Sequence, residues 1–214
     1  CREIGRIFIR FAHGKCAGYG QHQQFSLSGT QNKPLFLGLT MHSFTELVDR
    51  CASFTLAALD EANDRTIEML QTSSATTLVK TLQMIQLQKT ILAVGMFSIF
   101  EANLQEGLAC RNGFKEAKKI LETEGETDIK ERFEDLYFAV NVLKHGRGDS
   151  YDRLVAKAGT LPFRIKLPDE SFFCEGDVSE VSTLVEVDDA FVQRCGDVIS
   201  EVSGVIRRVH PWFY

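Results

Sequence analysis

The chemically loaded stretch of this chain is Asn141-Val142-Leu143-Lys144-His145-Gly146, followed directly by Arg147. It combines an amide, an imidazole and two cations, and Arg153 adds a third cation soon after. An imidazole changes charge near neutral pH and can act as an acid or a base. Arginine holds phosphate as a planar fork, and lysine holds it as a point charge. The chemistry on offer is therefore phosphate recognition, with His145 as the group that could move a proton.

A helix has to position these groups. Ile129, Phe133, Leu136, Val140 and Leu143 recur at alternating spacings of four and three, which predicts a helix over residues 127–145 packed on a partner helix. Thr127 can cap its start, Asp128 and Glu131 suit its positive end, and Gly146 and Gly148 stop it. Each helical residue turns by about 100°, so Asn141 and His145, four apart, share a face away from that stripe. Phe138 and Val142 point the same general way and need cover from another helix or another subunit. A second role fits the same residues. A histidine just before a helix-ending glycine can cap the last carbonyls, and Lys144 and Arg147 favour that negative end too. The residues alone leave both roles standing, and capping is the simpler.

Around this helix the chain reads as mainly α, a four-helix up-and-down bundle with a small β-hairpin or irregular insertion before the last helix. A first helix over 43–71 opens on Ser43 with Glu46 three residues on, a capping-box pattern, and its expected core stripe is Leu47, Cys51, Phe54, Ala58 and Ala62. A second spans 76–110, with Leu78, Leu82, Ile85, Leu92, Met96 and Ile99 inward and Asn112-Gly113 as its terminator. Short helices are expected over 114–124 and 151–158. Residues 160–187 bring prolines, Gly176 and an alternating run from Ser182 to Val187, the pattern of the insertion. The last helix starts at Asp188-Asp189 and carries Phe191, Cys195, Val198, Val202 and Val205, widened by Val192, Ile199 and Ile206. Residues 1–40 show little helical period, with short strands expected over 4–11 and 34–39. This suggests an extension preceding a natural start at Met41 and a bundle over 41–210.

Composition bounds the rest. A chain of 214 residues at 44% hydrophobic and 25% charged can bury one sizeable core and stay soluble. A formal charge of -5 argues against a broadly basic nucleic-acid coat and leaves room only for a local basic patch. The apolar run 90–100 is too short to span a bilayer, and no secretory pattern opens the chain. Six cysteines at long, irregular spacings read as free thiols in a reducing cytoplasm, with Cys51 and Cys195 on apolar helical stripes. His13, Cys16 and His22 resemble half a zinc site without a second half, so no metal is expected. Neither a phosphate-binding glycine loop nor a Gly-x-Ser-x-Gly elbow occurs, and no cofactor is expected.

The segment from Asp128 to Leu154, centred on Asn141 to Gly146, resembles the motif helix of the HEPN superfamily. The resemblance extends over the bundle, roughly residues 43–157 and 188–208, though only the short motif is diagnostic. It implies a four-helix bundle, a homodimer, and an association with RNA in toxin–antitoxin, antiphage or RNA-processing systems, where an antitoxin-like protein is a further partner. Many members are metal-independent endoribonucleases. Their motif is an arginine, a polar residue, three variable residues and a histidine. Asn141 matches the polar position, His145 matches the histidine, and the arginine position is Val140. The family often keeps a polar residue facing the motif from the second helix, which here would be Glu101. The resemblance thus assigns His145 and Asn141 to catalysis if the chain is active, and Lys144, Arg147, Arg153 and Glu101 to ligand or RNA binding. Val140 continues the apolar stripe, so it reads as a core residue. Losing a preorganised charge donor costs about 10²–10³ in rate by analogy with oxyanion holes. The expectation is a non-catalytic or weakly active RNA- or nucleotide-binding or regulatory dimer. The alternatives are an active endoribonuclease using His145 and a plain helical interaction protein.

Overall fold

A computed structural model describes residues 43–213 of the chain. The strands expected over 4–11 and 34–39, the His13–Cys16–His22 cluster and the start at Met41 lie outside those residues. Six helices follow in order among the described residues: α1 (Phe44–Leu70), α2 (Thr76–Gly107), α3 (Gly113–Thr123), α4 (Thr127–His145), α5 (Asp149–Ala156) and α6 (Asp189–Val209). The protein is mainly helical, as its apolar periodicity predicts.

Short polar side chains start three of these helices by taking up amide groups that have no partner in the first turn. Ser43 accepts the Glu46 N–H at 3.3 Å, Asn112 the Lys115 N–H at 2.8 Å, and Asp188 the Phe191 N–H at 2.7 Å. Asn112-Gly113 therefore opens α3, whereas the dipeptide reads in sequence as the end of α2. Glycine is needed there because a Cβ on Gly113 would lie 2.6 Å from Leu104 Cβ and 2.8 Å from the Glu101 carbonyl.

Four long helices form the bundle. α1 packs on α2 and α6, and α4 packs on α2 and α6, with α3 and α5 as the short connecting helices. Ion pairs fix the directions. Arg208 with Glu126 and Arg132 with Glu201 run α6 antiparallel to α4. Phe44 on Phe100 sets the start of α1 against the later part of α2, antiparallel after the short turn. Phe97, Phe100, Phe114 and Phe133 meet at centroid distances of 5.5–6.4 Å where α2, α3 and α4 converge. Edge and offset ring contacts add about 0.5–1.5 kcal/mol per pair to the area they bury.

The inward stripes of α4 and α6 are those read from the sequence. Phe133, Leu136 and Val140 are buried with Ile129 and Leu143 partly so, and every expected residue of α6 is buried. α1 differs. Its buried face is Thr45, Val48, Ala52, Leu56 and Leu59, while Leu47, Cys51, Phe54 and Ala58 face outward. On α2, Leu82, Ile85 and Met96 are inward as expected, but Ile99 is exposed and Phe97 and Phe100 take the core. Cys51 is therefore an exposed thiol, and Cys195 is the buried one, its burial pushing the thiol pKa up.

Residues 160–187 are irregular. One antiparallel bridge, Ile165 to Val185, is all that forms of the expected hairpin among the described residues. Its flanking bonds run from Lys166 N–H to the Leu184 carbonyl at 2.8 Å and from Glu186 N–H to the Arg164 carbonyl at 3.0 Å. Further along the segment, two amides are held by a side chain instead. Glu180 accepts the Phe173 and Cys174 N–H groups at 2.9 and 3.3 Å and the Lys166 ammonium at 2.6 Å. The insertion sits on the bundle. Phe163 packs edge-on against Phe191 at 5.2 Å, and Tyr151 of α5 donates to the Lys166 carbonyl at 2.9 Å.

Candidate functional site

The end of α4 presents the motif. Val140 is 4% exposed and belongs to the hydrophobic core, so this position is filled by packing. One residue on, Asn141 is half-buried, and His145 is exposed at the last helical position. Gly146 then turns the chain at φ 75°, its N–H bonding the Val142 carbonyl at 2.8 Å. That left-handed angle favours glycine. Among the described residues, the His145 side chain makes no hydrogen bond or ion pair. The last carbonyls of α4 are therefore not capped by its imidazole. Lys144 and His145 still lie in the last turn, where the helix dipole favours cations.

The second apolar face of α4 finds its cover within the chain. Val142 and Ala139 are buried, and α5 packs along α4. That removes the need for another subunit at this point. Phe138 is half-buried, and the Arg153 guanidinium lies over its ring at 5.4 Å. Phe138, Asn141 and His145 fall at i, i+3 and i+7, one face of the helix. Arg153 is thereby brought to the face that carries Asn141 and His145. Arg147 stands just beyond, over the Tyr151 ring at 5.3 Å and donating to the Pro168 carbonyl at 3.3 Å. Tyr137 neighbours Phe138 at 5.5 Å and carries Lys118 over its ring, also at 5.5 Å. Arg153, Arg147 and Lys118 are thus each seated on an aromatic ring, Lys118 also pairing with Glu134 at 3.0 Å, and Lys144 and His145 lie in the last turn of α4.

Glu101 does not join it. Phe97 and Phe100 of α2 pack against Phe133, which sets Glu101 near that level of α4. His145 lies twelve residues further along α4, about 18 Å away along the axis. The level at which α2 meets Phe133, not the polarity of the residue, keeps Glu101 away from His145.

Three charge clusters were not evident in the sequence because each joins residues far apart in the chain. Lys89, buried in mid-α2, meets Asp189 at 2.5 Å and Asp60 at 4.0 Å. Burial and the Asp189 carboxylate hold the Asp60 pKa above its ordinary value. Lys157 bonds Asp135 at 2.7 Å and Glu131 at 2.9 Å. Burial opposes its charge, but those two carboxylates outweigh it and raise its pKa. Burial likewise opposes the Glu180 charge, and the bonds from Lys166, Cys174 and Phe173 outweigh it and lower its pKa. One cavity of about 160 Å³ opens between α4 and α6 beside Phe163, and one of about 100 Å³ opens beside Glu180. Neither is lined by His145.

Comparison with protein-family models, with curated proteins and with solved structures finds no match. Among the described residues no helix is long and apolar enough to cross a membrane.

Proposed function

We propose that this chain is a HEPN-like, non-catalytic dimer that binds RNA or nucleotide phosphate on the α4–α5 face and acts as a regulatory or binding protein. The burial of Val140 carries the reading. In the family it resembles, an arginine at that position holds phosphate charge beside the histidine. A side chain committed to the core cannot do so, and no neighbouring cation reproduces its geometry. Lys144 and Arg147 lie beyond the helix end or next to it, and Arg153 is seated on Phe138. These groups suit binding, since rings that support guanidinium groups preorganise them for phosphate and for stacked bases.

The test uses the full chain and a fluorescein-labelled single-stranded RNA, read by anisotropy over a salt series. Three phosphate contacts predict a slope of log affinity on log salt near about -2. Lys144→Glu and Arg153→Glu should each weaken binding at least about tenfold. Incubation of unlabelled RNA in EDTA should leave it intact. The open imidazole of His145 favours a second reading, metal-independent cleavage. Cleavage that survives EDTA and disappears in His145→Ala would establish that reading instead. Absence of binding at about 50 mM salt would leave only an interaction role.

A further inference from the structure

One cavity has no part in phosphate binding and carries an inference of its own. It is the space of about 160 Å³ between α4 and α6, bordered by Pro162 and Phe163 at the start of the insertion. It opens near the start of α4, whereas His145 stands at the other end of that helix. Its floor is apolar. Leu136 of α4, Val198 of α6 and Phe163 line it, and all three are buried.

Size narrows the occupant. A cavity of ~150 Å³ lined by aliphatic and aromatic side chains admits one benzene ring. Sites for drug-sized ligands run from ~300 Å³ upward. The space here therefore takes one ring or one branched aliphatic group and excludes a nucleoside.

Charge narrows it further. Arg132, Asp135, Arg194 and Asp197 border the apolar floor. Two of them are already neutralised within the chain. Arg132 pairs with Glu201 at 2.8 Å, and both oxygens of Asp135 accept from Lys157, at 2.7 and 2.9 Å. The other two are open. Among the described residues, neither the Arg194 nor the Asp197 side chain makes a hydrogen bond or an ion pair. Three apart on α6, they are neighbours on its surface, yet they do not pair with each other. Burial and the Asp197 carboxylate hold the Asp49 pKa above its ordinary value, so the negative charge on this border is felt on α1 as well.

A ligand that suits this border carries both charges. A carboxylate alone would meet Arg194 but also the charges of Asp197 and Asp49. An amine alone would meet Asp197 but also Arg194. An α-amino acid carries a carboxylate and an ammonium on the same carbon, which matches an arginine and an aspartate about one helical turn apart. A guanidinium holds a carboxylate with parallel hydrogen bonds, and an aspartate accepts from an ammonium. The side chain of the ligand then enters the apolar space, where a benzyl or isobutyl group fits the volume. An apolar wall with a few polar groups that fix orientation is the usual plan of a small-molecule site.

We propose that the cavity between α4 and α6 binds a free α-amino acid with an aromatic or branched aliphatic side chain. Arg194 holds its carboxylate, Asp197 holds its ammonium, and Leu136, Phe163 and Val198 enclose its side chain.

Calorimetric titration of the full chain with L-phenylalanine and L-leucine tests this. At least one should bind with a dissociation constant in the millimolar range or tighter. The matching acids without an ammonium, hydrocinnamate and isocaproate, should bind at least tenfold more weakly. So should the matching amines without a carboxylate, phenethylamine and isoamylamine. Arg194 is half-buried and Asp197 exposed, so Arg194→Gln and Asp197→Asn keep the fold, and each should weaken binding at least tenfold. The methyl signals of Leu136 and Val198 should shift as the amino acid is added, which puts the ligand in the cavity. Absence of both heat and methyl shifts up to about 10 mM overturns the proposal. So does binding that both variants leave unchanged, or an acid or amine that binds as tightly as its parent amino acid.

Discussion

Replacing Val140 with arginine separates a filled position from a vacant one. Val140 is 4% exposed, so the substitution forfeits the burial of its side chain, about 1.5–3 kcal/mol. Forcing a longer side chain into packed core adds about 1–3 kcal/mol. The guanidinium must then be desolvated or reach water. Five residues separate Val140 from the helix end at His145, about 7.5 Å of rise, so the side chain can snorkel only part of the way. The expected loss is about 4 kcal/mol or more, at the upper end of single substitutions and a large share of a domain's ~5–15 kcal/mol. Val140→Ala, which leaves a small cavity and no charge, should cost about 2 kcal/mol. Urea titrations followed by circular dichroism measure both, provided that the slope of stability on denaturant is unchanged. An arginine variant within about 0.5 kcal/mol of the parent would refute the argument. A stable variant that also cleaves RNA would show that the motif is merely vacant and can be restored.

Glu180→Ala should loosen the insertion. It leaves Lys166, 8% exposed at its side chain, without its carboxylate and strands two amides, a loss of about 3–5 kcal/mol unless residues 160–187 detach at lower cost. Hydrogen exchange at the Phe173 and Cys174 amides reads either outcome, and unchanged protection would discredit the clasp. The pH dependence of this group has a definite sign. Its folded pKa is lowered, so its contribution is present above the unfolded value near ~4.3 and is lost as pH falls through the folded one. The stability difference between parent and Glu180→Gln should therefore be widest at pH 6–7 and close below about pH 4, and a difference constant down to pH 2 would contradict this. Asp60 has the opposite sign. Its raised pKa means that its charge opposes folding at neutral pH and that the opposition is relieved by acid. Lys89→Ala should cost stability at pH 7 and less at pH 3, where Asp60 is protonated; an equal cost at both would deny the lysine its role beside Asp60.

Part of the motif's setting was legible in the sequence because it depends on helix phase alone. Val140 falls in register with Phe133 and Leu136, and His145 falls out of register with them, so one is buried and the other exposed. The seating of these cations on rings was not legible. Arg153 reaches Phe138 only because α5 folds back along α4, and Lys118 reaches Tyr137 only because α3 packs on α4. Glu101 failed for a related reason. Polarity in an apolar helix marks a residue for attention but carries no information about which level of a neighbouring helix it will meet.

The existence of the helices, the cap at Ser43, and the inward faces of α4 and α6 follow from local chemistry, because on α4 and α6 the apolar stripe with helical spacing is also the one that is buried. α1 has two. Leu47, Cys51, Phe54 and Ala58 keep helical spacing as faithfully as Val48, Ala52, Leu56 and Leu59, and the period of a helix cannot say which set meets the core. That choice is made by α2 and α6, which bury the second set and leave the first outside. The hydrophobic effect requires apolar surface to be covered but is non-directional, so it assigns the covered side only once neighbouring helices are in place.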